Sequence, residues 1–121
     1  LRSGHNVSEV THLVGDVKGR TCLLYDDLVD TAGSVANGAE VLRKNGANKD
    51  IYLAATHPVL SLDAHKKLRA AKFAEIIFTD TIPVPKGKML PNIRILSIAP
   101  LLADVIRNVH NGKPLTPLVN P

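Results

Sequence analysis

The sequence predicts an α/β fold in which a mostly parallel sheet is flanked by helices. Hydrophobic residues make up 45% of the 121-residue chain and aromatic residues only 3%, so the core must be built from aliphatic side chains. Short apolar runs alternate with segments of helical periodicity, and the connections between them are short. Strands buried under helices have this composition, and such alternation favours a parallel sheet. The length fits a single domain, residues 1–121.

The first half of the chain carries two predicted strands around one helix. Residues 7–14 alternate loosely and fit a strand or a short helix. The apolar run 21–25 predicts a strand, and 34–45 has apolar residues at helical spacing. A second strand is expected over 51–55, because Pro58 disfavours its continuation in a central position.

The second half of the chain shows the same two periodicities, and Pro100 fits the first turn of a helix. In order, we predict a helix over 61–71, a strand over 75–79, a loop over 80–91, a strand over 93–97, a helix over 99–110 and an extended, proline-rich tail over 113–121.

The net charge of +4 does not indicate nucleic-acid binding. The basic residues are scattered, and the chain has no Trp for base stacking. Solvated helix faces are the simplest explanation, and a small phosphorylated ligand is the next. No apolar run approaches 18 residues, so we expect no membrane-spanning helix and no membrane partner. The single cysteine, Cys22, fits a reduced, cytoplasmic compartment.

The most informative stretch is YDDLVDTAGS, residues 25–34. Asp26 and Asp27 follow an apolar run that we interpret as a buried strand, and Asp30 comes three residues later. In an open parallel sheet, ligands bind beyond the carboxyl ends of the strands. We therefore expect these carboxylates at a ligand-binding edge, although acidic turns before helices also serve simply as caps.

The residues that follow are suited to a phosphate. Thr31, Ala32, Gly33 and Ser34 supply successive backbone N–H groups where a helix is predicted to begin. A helix N-terminus binds phosphate because its donors are unsatisfied and its dipole end is positive. The nearby carboxylates would repel a phosphate, but they accept hydrogen bonds from sugar hydroxyls or bind Mg²⁺. The combination predicts a sugar-phosphate ligand.

The motif YDDLVDTAGS closely resembles the phosphoribosyl-diphosphate-binding motif of the type I phosphoribosyltransferase fold. More narrowly, nearly the whole chain resembles the C-terminal half of the ribose-phosphate pyrophosphokinase family. The segments that carry this resemblance are NVSEVTHLVGDVKGRTCLLYDD, GAEVLRKNGA, AATHPVLS, FTDTIP and IRILSIAPLLADVIRNVHNG. Because the chain begins with Leu1 rather than Met, we expect it to be the C-terminal half of a two-domain enzyme.

The resemblance implies Mg²⁺-dependent transfer of diphosphate from ATP to ribose 5-phosphate, which yields 5-phosphoribosyl 1-diphosphate for nucleotide biosynthesis. It also implies a homo-oligomer, and ATP contacts that lie largely in an N-terminal domain absent from this sequence, so we expect no catalysis by the isolated chain. By the family's pattern, Arg2 is catalytic, and Asp26 and Asp27 face Mg²⁺ bound to the substrate. The residues implied in ribose 5-phosphate binding are Arg2, Asp26, Asp27, Asp30, Thr31, Ala32, Gly33 and Ser34.

Two alternatives stay open. A phosphoribosyltransferase would consume the diphosphate, but this chain has no obvious segment to cover a base. A non-catalytic synthetase-associated subunit would typically have a degraded acidic loop, and here that loop is intact.

Two other sequence features have two interpretations each, and two helical histidines have one. His57 fits a ligand or polar-network role, or simple local hydrogen bonding. The segment 79–81 fits a nucleotide-side role or turn capping. His65 and His110 are most simply surface residues.

Overall fold

The computed structural model describes residues 13–120 and contains a four-stranded sheet in the order β1-β2-β3-β4. Every neighbouring pair of strands is parallel, so the predicted α/β class is confirmed. The elements are β1 (Cys22–Val29), α1 (Gly33–Lys44), β2 (Ile51–Pro58), α2 (Ala64–Ala71), β3 (Glu75–Thr79), a 3₁₀ turn (Lys86–Lys88), β4 (Ile93–Leu96), α3 (Ala99–His110) and α4 (Thr116–Val119). Most of the element predicted over 7–14 lies outside the described residues.

The core lies between the sheet and helices α1 and α2. The sheet contributes alternating buried side chains such as Leu53, Ile76 and Phe78, as expected for strands with one covered face. The two helices contribute apolar residues spaced three or four apart, which places them on one face of each helix. These helix residues are Val35, Ala39, Leu42, Ala64, Leu68 and Ala71. Their packing fixes the start of α1 next to the end of β1.

Strand β1 is longer than the sequence predicted. The prediction ended the strand at residue 25, but β1 continues through Asp26 and Asp27 to Val29. The reason is its parallel neighbour β2, which pairs with β1 as far as Val29 and Pro58. Backbone pairing therefore outweighs the low strand propensity of two aspartates. The interpretation that both acids follow the strand was wrong; only Asp30 does.

Strand β2 also exceeds its prediction, because it runs to Pro58 although it is a central strand. Its pairing with β3 ends at Ala55 and Phe78, and beyond that point only β1 lies beside it. Pro58 is the last residue of the strand, so its missing N–H group interrupts no interior ladder. The expectation that the proline stops the strand earlier was wrong.

The remaining differences concern element ends. Helix α2 begins at Ala64 instead of residue 61, after a turn in which Leu60 and Leu62 have a positive φ of 51°. The tail is not extended throughout, because Thr116–Val119 forms one helical turn that carries a proline in its first positions, where proline is well tolerated. The predicted bounds of α3, with Pro100 in its first turn, are confirmed.

Helix α3 contributes nothing to the buried core. None of its residues is buried, and several large apolar side chains lie on its surface. Within residues 13–120, none of the helices combines the length and apolar character that crossing a lipid bilayer requires.

Candidate functional site

A pocket of about 220 Å³ lies where β1 ends and α1 begins. Its walls come from the end of the strand, the connecting loop and the first turn of the helix. The lining residues are Asp26, Leu28, Val29, Asp30, Thr31, Ala32, Gly33, Ser34 and Val35. The structure thus brings Asp26 together with every residue of the predicted phosphate loop. Their role in binding stays a prediction.

The two adjacent aspartates of β1 are not equivalent. Successive side chains of a strand point to opposite faces, and only Asp26 lines the pocket, where it is half-buried. Its Oδ1 accepts a hydrogen bond from the backbone N–H of Asp27 at 2.9 Å. Asp27 is exposed and contributes no wall to this pocket. Arg2, the predicted catalytic residue, lies outside the described residues.

The loop between β1 and α1 contains one residue with a positive φ, Ala32. Ala32 has φ 63° and ψ 8°, the left-handed conformation, and its side chain is buried. The first backbone bond of the helix runs from Ala36 N–H to the carbonyl of Ala32 at 3.1 Å. The N–H groups of the first turn receive no side-chain cap. A left-handed residue followed by uncapped helical N–H groups is an arrangement that binds anions.

A cation from the next helix reaches this first turn. A Cβ atom placed on Gly33 would lie 3.9 Å from Nζ of Lys67 and 3.9 Å from Oγ1 of Thr31. The glycine thus keeps a small space open between an ammonium group and a hydroxyl group. Sequence reasoning missed Lys67, since its approach depends on how α2 packs beside α1; it was counted among the scattered, solvated lysines.

Threonines connect the carboxyl ends of β2 and β3. Oγ1 of Thr79 donates to the carbonyl of Thr56 at 2.6 Å, and Oγ1 of Thr81 donates to the same carbonyl at 3.0 Å. Nδ1 of His57 lies 2.9 Å from Oγ1 of Thr81. The local hydrogen bonding considered for His57 is therefore present. The cluster stiffens the sheet edge beside the loops.

Asp80 fixes the start of α3. Its Oδ1 accepts a hydrogen bond from the backbone N–H of Ile98 at 2.9 Å. The hydroxyl of Ser97, followed by this backbone N–H, holds the pKa of Asp80 below its ordinary value, because both donors stabilise the carboxylate. This geometry matches the turn-capping interpretation of the segment 79–81.

The two helical histidines differ. His110 is exposed, as expected, whereas His65 is half-buried. Nδ1 of His65 is buried, and the described residues offer it no hydrogen-bond partner. The expectation of a plain surface residue was wrong for His65, because its side chain is half-buried and its Nδ1 is shielded from solvent.

No group of three or more His, Cys, Asp or Glu residues within 13–120 is arranged to hold a metal ion. The carboxylate of Asp26 nevertheless suits Mg²⁺, which usually takes one or two protein carboxylates and completes its shell with water and substrate phosphates. Mg²⁺ held mainly through a substrate stays a prediction.

Comparison with known proteins agrees with the resemblance in the sequence. Residues 6–120 match the family described as "Phosphoribosyl synthetase-associated domain". A ribose-phosphate pyrophosphokinase of Nostoc sp. is 45% identical over 109 residues, which cover 90% of this chain and 33% of the relative. The chloroplastic ribose-phosphate pyrophosphokinase 1 of Oryza sativa subsp. japonica is 46% identical over 110 residues, covering 91% of this chain and 28% of the relative.

A solved structure supports the same assignment. The phosphoribosylpyrophosphate synthetase of Mycobacterium smegmatis superposes with a TM-score of 0.78 at 48% identity, covering 82% of this chain and 33% of that one. The chain thus spans about a third of the length of these relatives. With 115 of its 121 residues inside the matched range 6–120, the chain belongs to the phosphoribosyl synthetase-associated domain family.

Proposed function

We propose that this chain is the sugar-phosphate-binding domain of a ribose-phosphate diphosphokinase. In that enzyme, diphosphate is transferred from ATP to ribose 5-phosphate in the presence of Mg²⁺, and 5-phosphoribosyl 1-diphosphate is released for nucleotide biosynthesis. The names of the relatives support this reaction class. The observation that carries the proposal is the pocket that joins the Asp26 carboxylate to the uncapped first turn of α1.

The two ends of the pocket suit the two ends of the ligand. The 5-phosphate is assigned to the backbone N–H groups of the loop Asp30–Ser34 and to the hydroxyls of Thr31 and Ser34. The ribose hydroxyls are assigned to Asp26, whose carboxylate accepts hydrogen bonds. Asp27, which is exposed and contributes no wall to this pocket, is assigned with Asp26 to the ribose hydroxyls and to the Mg²⁺ bound to the substrate, as the family resemblance implies.

Holding both ends of the sugar has a catalytic purpose. Transfer of a phosphoryl or diphosphoryl group depends mainly on positioning and charge stabilisation. A ribose fixed at its phosphate and its hydroxyls presents the anomeric oxygen in one orientation, which lowers the entropic part of the barrier. Bound Mg²⁺ would spread the negative charge that develops on the transferred group.

The reaction itself requires more than this chain supplies. We assign the ATP contacts to an N-terminal domain of a longer, homo-oligomeric enzyme, of which this chain is the C-terminal type I phosphoribosyltransferase-like domain. Arg2 is assigned a catalytic role and a role in ribose 5-phosphate binding, as the family resemblance implies. The proposal is supported by the share of the relatives' length, about a third, that the chain covers. We therefore expect the 121 residues alone to bind the sugar phosphate without turnover.

Calorimetric titration with phosphoribosyl diphosphate and Mg²⁺ tests the binding role. We expect saturable binding to the unaltered chain and none to a variant with Asp26→Asn and Asp30→Asn together. A matched control is Asp104→Asn, because Asp104 pairs with Arg107 at 2.8 Å on α3 and does not line the pocket; this variant should bind normally. Equal binding by the double variant, or synthetase turnover by the isolated chain, would contradict the corresponding part of the proposal.

A further inference from the structure

We propose that Lys67 is a phosphate-binding residue, which adds a cation to the backbone donors at the start of α1. This inference rests on the proposed function, since it concerns the same bound phosphate. It adds a residue from α2 to a site that the sequence motif placed wholly in the β1–α1 loop. Lys67 itself lines a neighbouring pocket between α1 and α2 and borders the β1–α1 pocket on the side of Gly33.

The ammonium group of Lys67 lies close to the first turn of α1. Its Nζ lies 3.9 Å from the point that a Gly33 Cβ would occupy, and Oγ1 of Thr31 lies at the same distance from that point. Gly33 lines the pocket and belongs to the first turn of α1. The four-carbon stem of a lysine is flexible. A small rotation of that stem therefore brings the ammonium group to an anion held by the Gly33 and Ser34 amides.

Lys67 has no ion-pair partner in the described part of the chain. Glu40 lines one pocket with Lys67 but binds Lys44 at 2.7 Å. Asp63 binds Lys66 at 3.0 Å, and the charge of Lys67 contributes only a smaller part to the lowered pKa of Asp63. A cation beside the positive end of a helix dipole is unfavourable. An anion bound between the two would relieve this repulsion.

The carboxylates that line the pocket explain why a positive charge is needed beside a bound phosphate. A phosphate in this pocket would lie near the carboxylates of Asp26 and Asp30, which line it. Like charges in one site repel each other. The backbone N–H groups carry only partial charge. A full positive charge on the side of Gly33 offsets the repulsion on the phosphate, while the carboxylates stay free to accept bonds from the sugar hydroxyls.

The test is calorimetric titration of ribose 5-phosphate, with ribose as the reference ligand. The variants are Lys67→Ala, Lys67→Arg and, as a matched control on the same helix, Lys66→Ala. We expect Lys67→Ala to weaken ribose 5-phosphate binding about threefold to tenfold near 20 mM salt, because an exposed charged contact has this size. The difference should shrink near 300 mM salt, where exposed charges are screened.

The controls separate a charge effect from a structural one. Lys67→Arg should retain most of the affinity because it keeps the charge, and Lys66→Ala should bind as the unaltered chain does. If Lys67→Ala binds ribose 5-phosphate within twofold of the unaltered chain at low salt, the inference is overturned.

A second titration separates this inference from the proposed function. Inorganic phosphate is added while the amide resonance of Gly33 is followed in the unaltered chain and in Lys67→Ala. If ribose 5-phosphate does not bind but phosphate shifts the Gly33 amide in a Lys67-dependent way, the sugar-phosphate function fails and the role of Lys67 stands. If neither ligand shifts that amide, both proposals are overturned.

Discussion

The guanidinium group of Arg43 joins the end of α1 to the end of α2. Its Nη1 donates to the carbonyl of Ala71 at 2.7 Å, and its Nη2 donates to the carbonyl of Lys72 at 3.0 Å. These carbonyls belong to the last turn of α2, where backbone acceptors lack partners within the helix. The contact also places the cation at the negative end of that helix dipole. It therefore holds α1 and α2 together.

Replacing Arg43 should lower the free energy of unfolding. We expect Arg43→Ala to cost about 1–2 kcal/mol, because two hydrogen bonds from a charged group are lost near the surface. Arg43→Lys should recover part of this loss with a single donor group. Lys44→Ala, which removes only an exposed pair with Glu40, should cost about 0.5 kcal/mol or less. Urea unfolding measures all three; an Arg43→Ala change as small as that of Lys44→Ala would refute the role.

The attachment of α3 should respond to acid through Asp80. Ser97 and the Ile98 N–H hold the Asp80 pKa below its ordinary value, so the stabilisation is complete above about pH 4, the ordinary aspartate pKa, and is lost as pH falls through the lowered value. The amide resonance of Ile98 should titrate in this acidic range. In Asp80→Asn the same resonance should stay flat; a titration that survives this substitution would assign the effect to another group.

The left-handed conformation of Ala32 predicts how substitutions there behave. Ala32→Gly removes about 1–2 kcal/mol of backbone strain and also deletes a buried methyl group worth about 0.8 kcal/mol. The two effects partly offset each other, so stability should rise by about 1 kcal/mol or less. Ala32→Val should cost about 2 kcal/mol or more, because a β-branched residue is a genuine outlier at positive φ. Thermal unfolding compares them; a stable valine variant would show that the loop conformation is wrong.

A pair of matched truncations tests where the core ends. Leu68 in α2 is fully buried, whereas Ile106 in α3 is 68% exposed. Leu68→Ala should cost about 2–5 kcal/mol through lost burial and a cavity. Ile106→Ala should stay within about 0.5 kcal/mol, as is usual for surface positions. Urea unfolding of both variants decides the matter, and a comparable loss from Ile106→Ala would show that α3 packs more tightly than described.

Local patterns in the sequence were sufficient for the types of the four strands and of helices α1 to α3, and for the pocket loop, but not for the helical turn α4 in the tail. Periodicity identified β3 and α3 with their observed bounds, and the small residues Ala32 and Gly33 marked the start of α1. The extents of β1 and β2 were missed. Asp27 and Pro58 have low strand propensity, and only the pairing between neighbouring strands shows that they belong to the sheet.

Tertiary packing also decided the features that the sequence could not supply. Lys67 approaches Gly33 because α2 lies beside α1, although 34 positions separate the two residues along the chain. Nδ1 of His65 is buried, although its place on a helix indicated a surface residue. Strand alternation separates Asp26 from Asp27 once both lie within β1. Each of these results depends on which elements are neighbours in the fold. A local pattern of residues does not contain that information.

The central claim is that the first turn of α1 holds the phosphate of a sugar phosphate. A crystal structure of the chain with ribose 5-phosphate tests it most directly. The account predicts phosphate oxygens within about 3 Å of the Gly33 and Ser34 backbone nitrogens, the usual N–H···O distance, with the ribose directed toward Asp26. A ribose 5-phosphate bound elsewhere, or reversed so that its phosphate lies beside Asp26, would contradict the account.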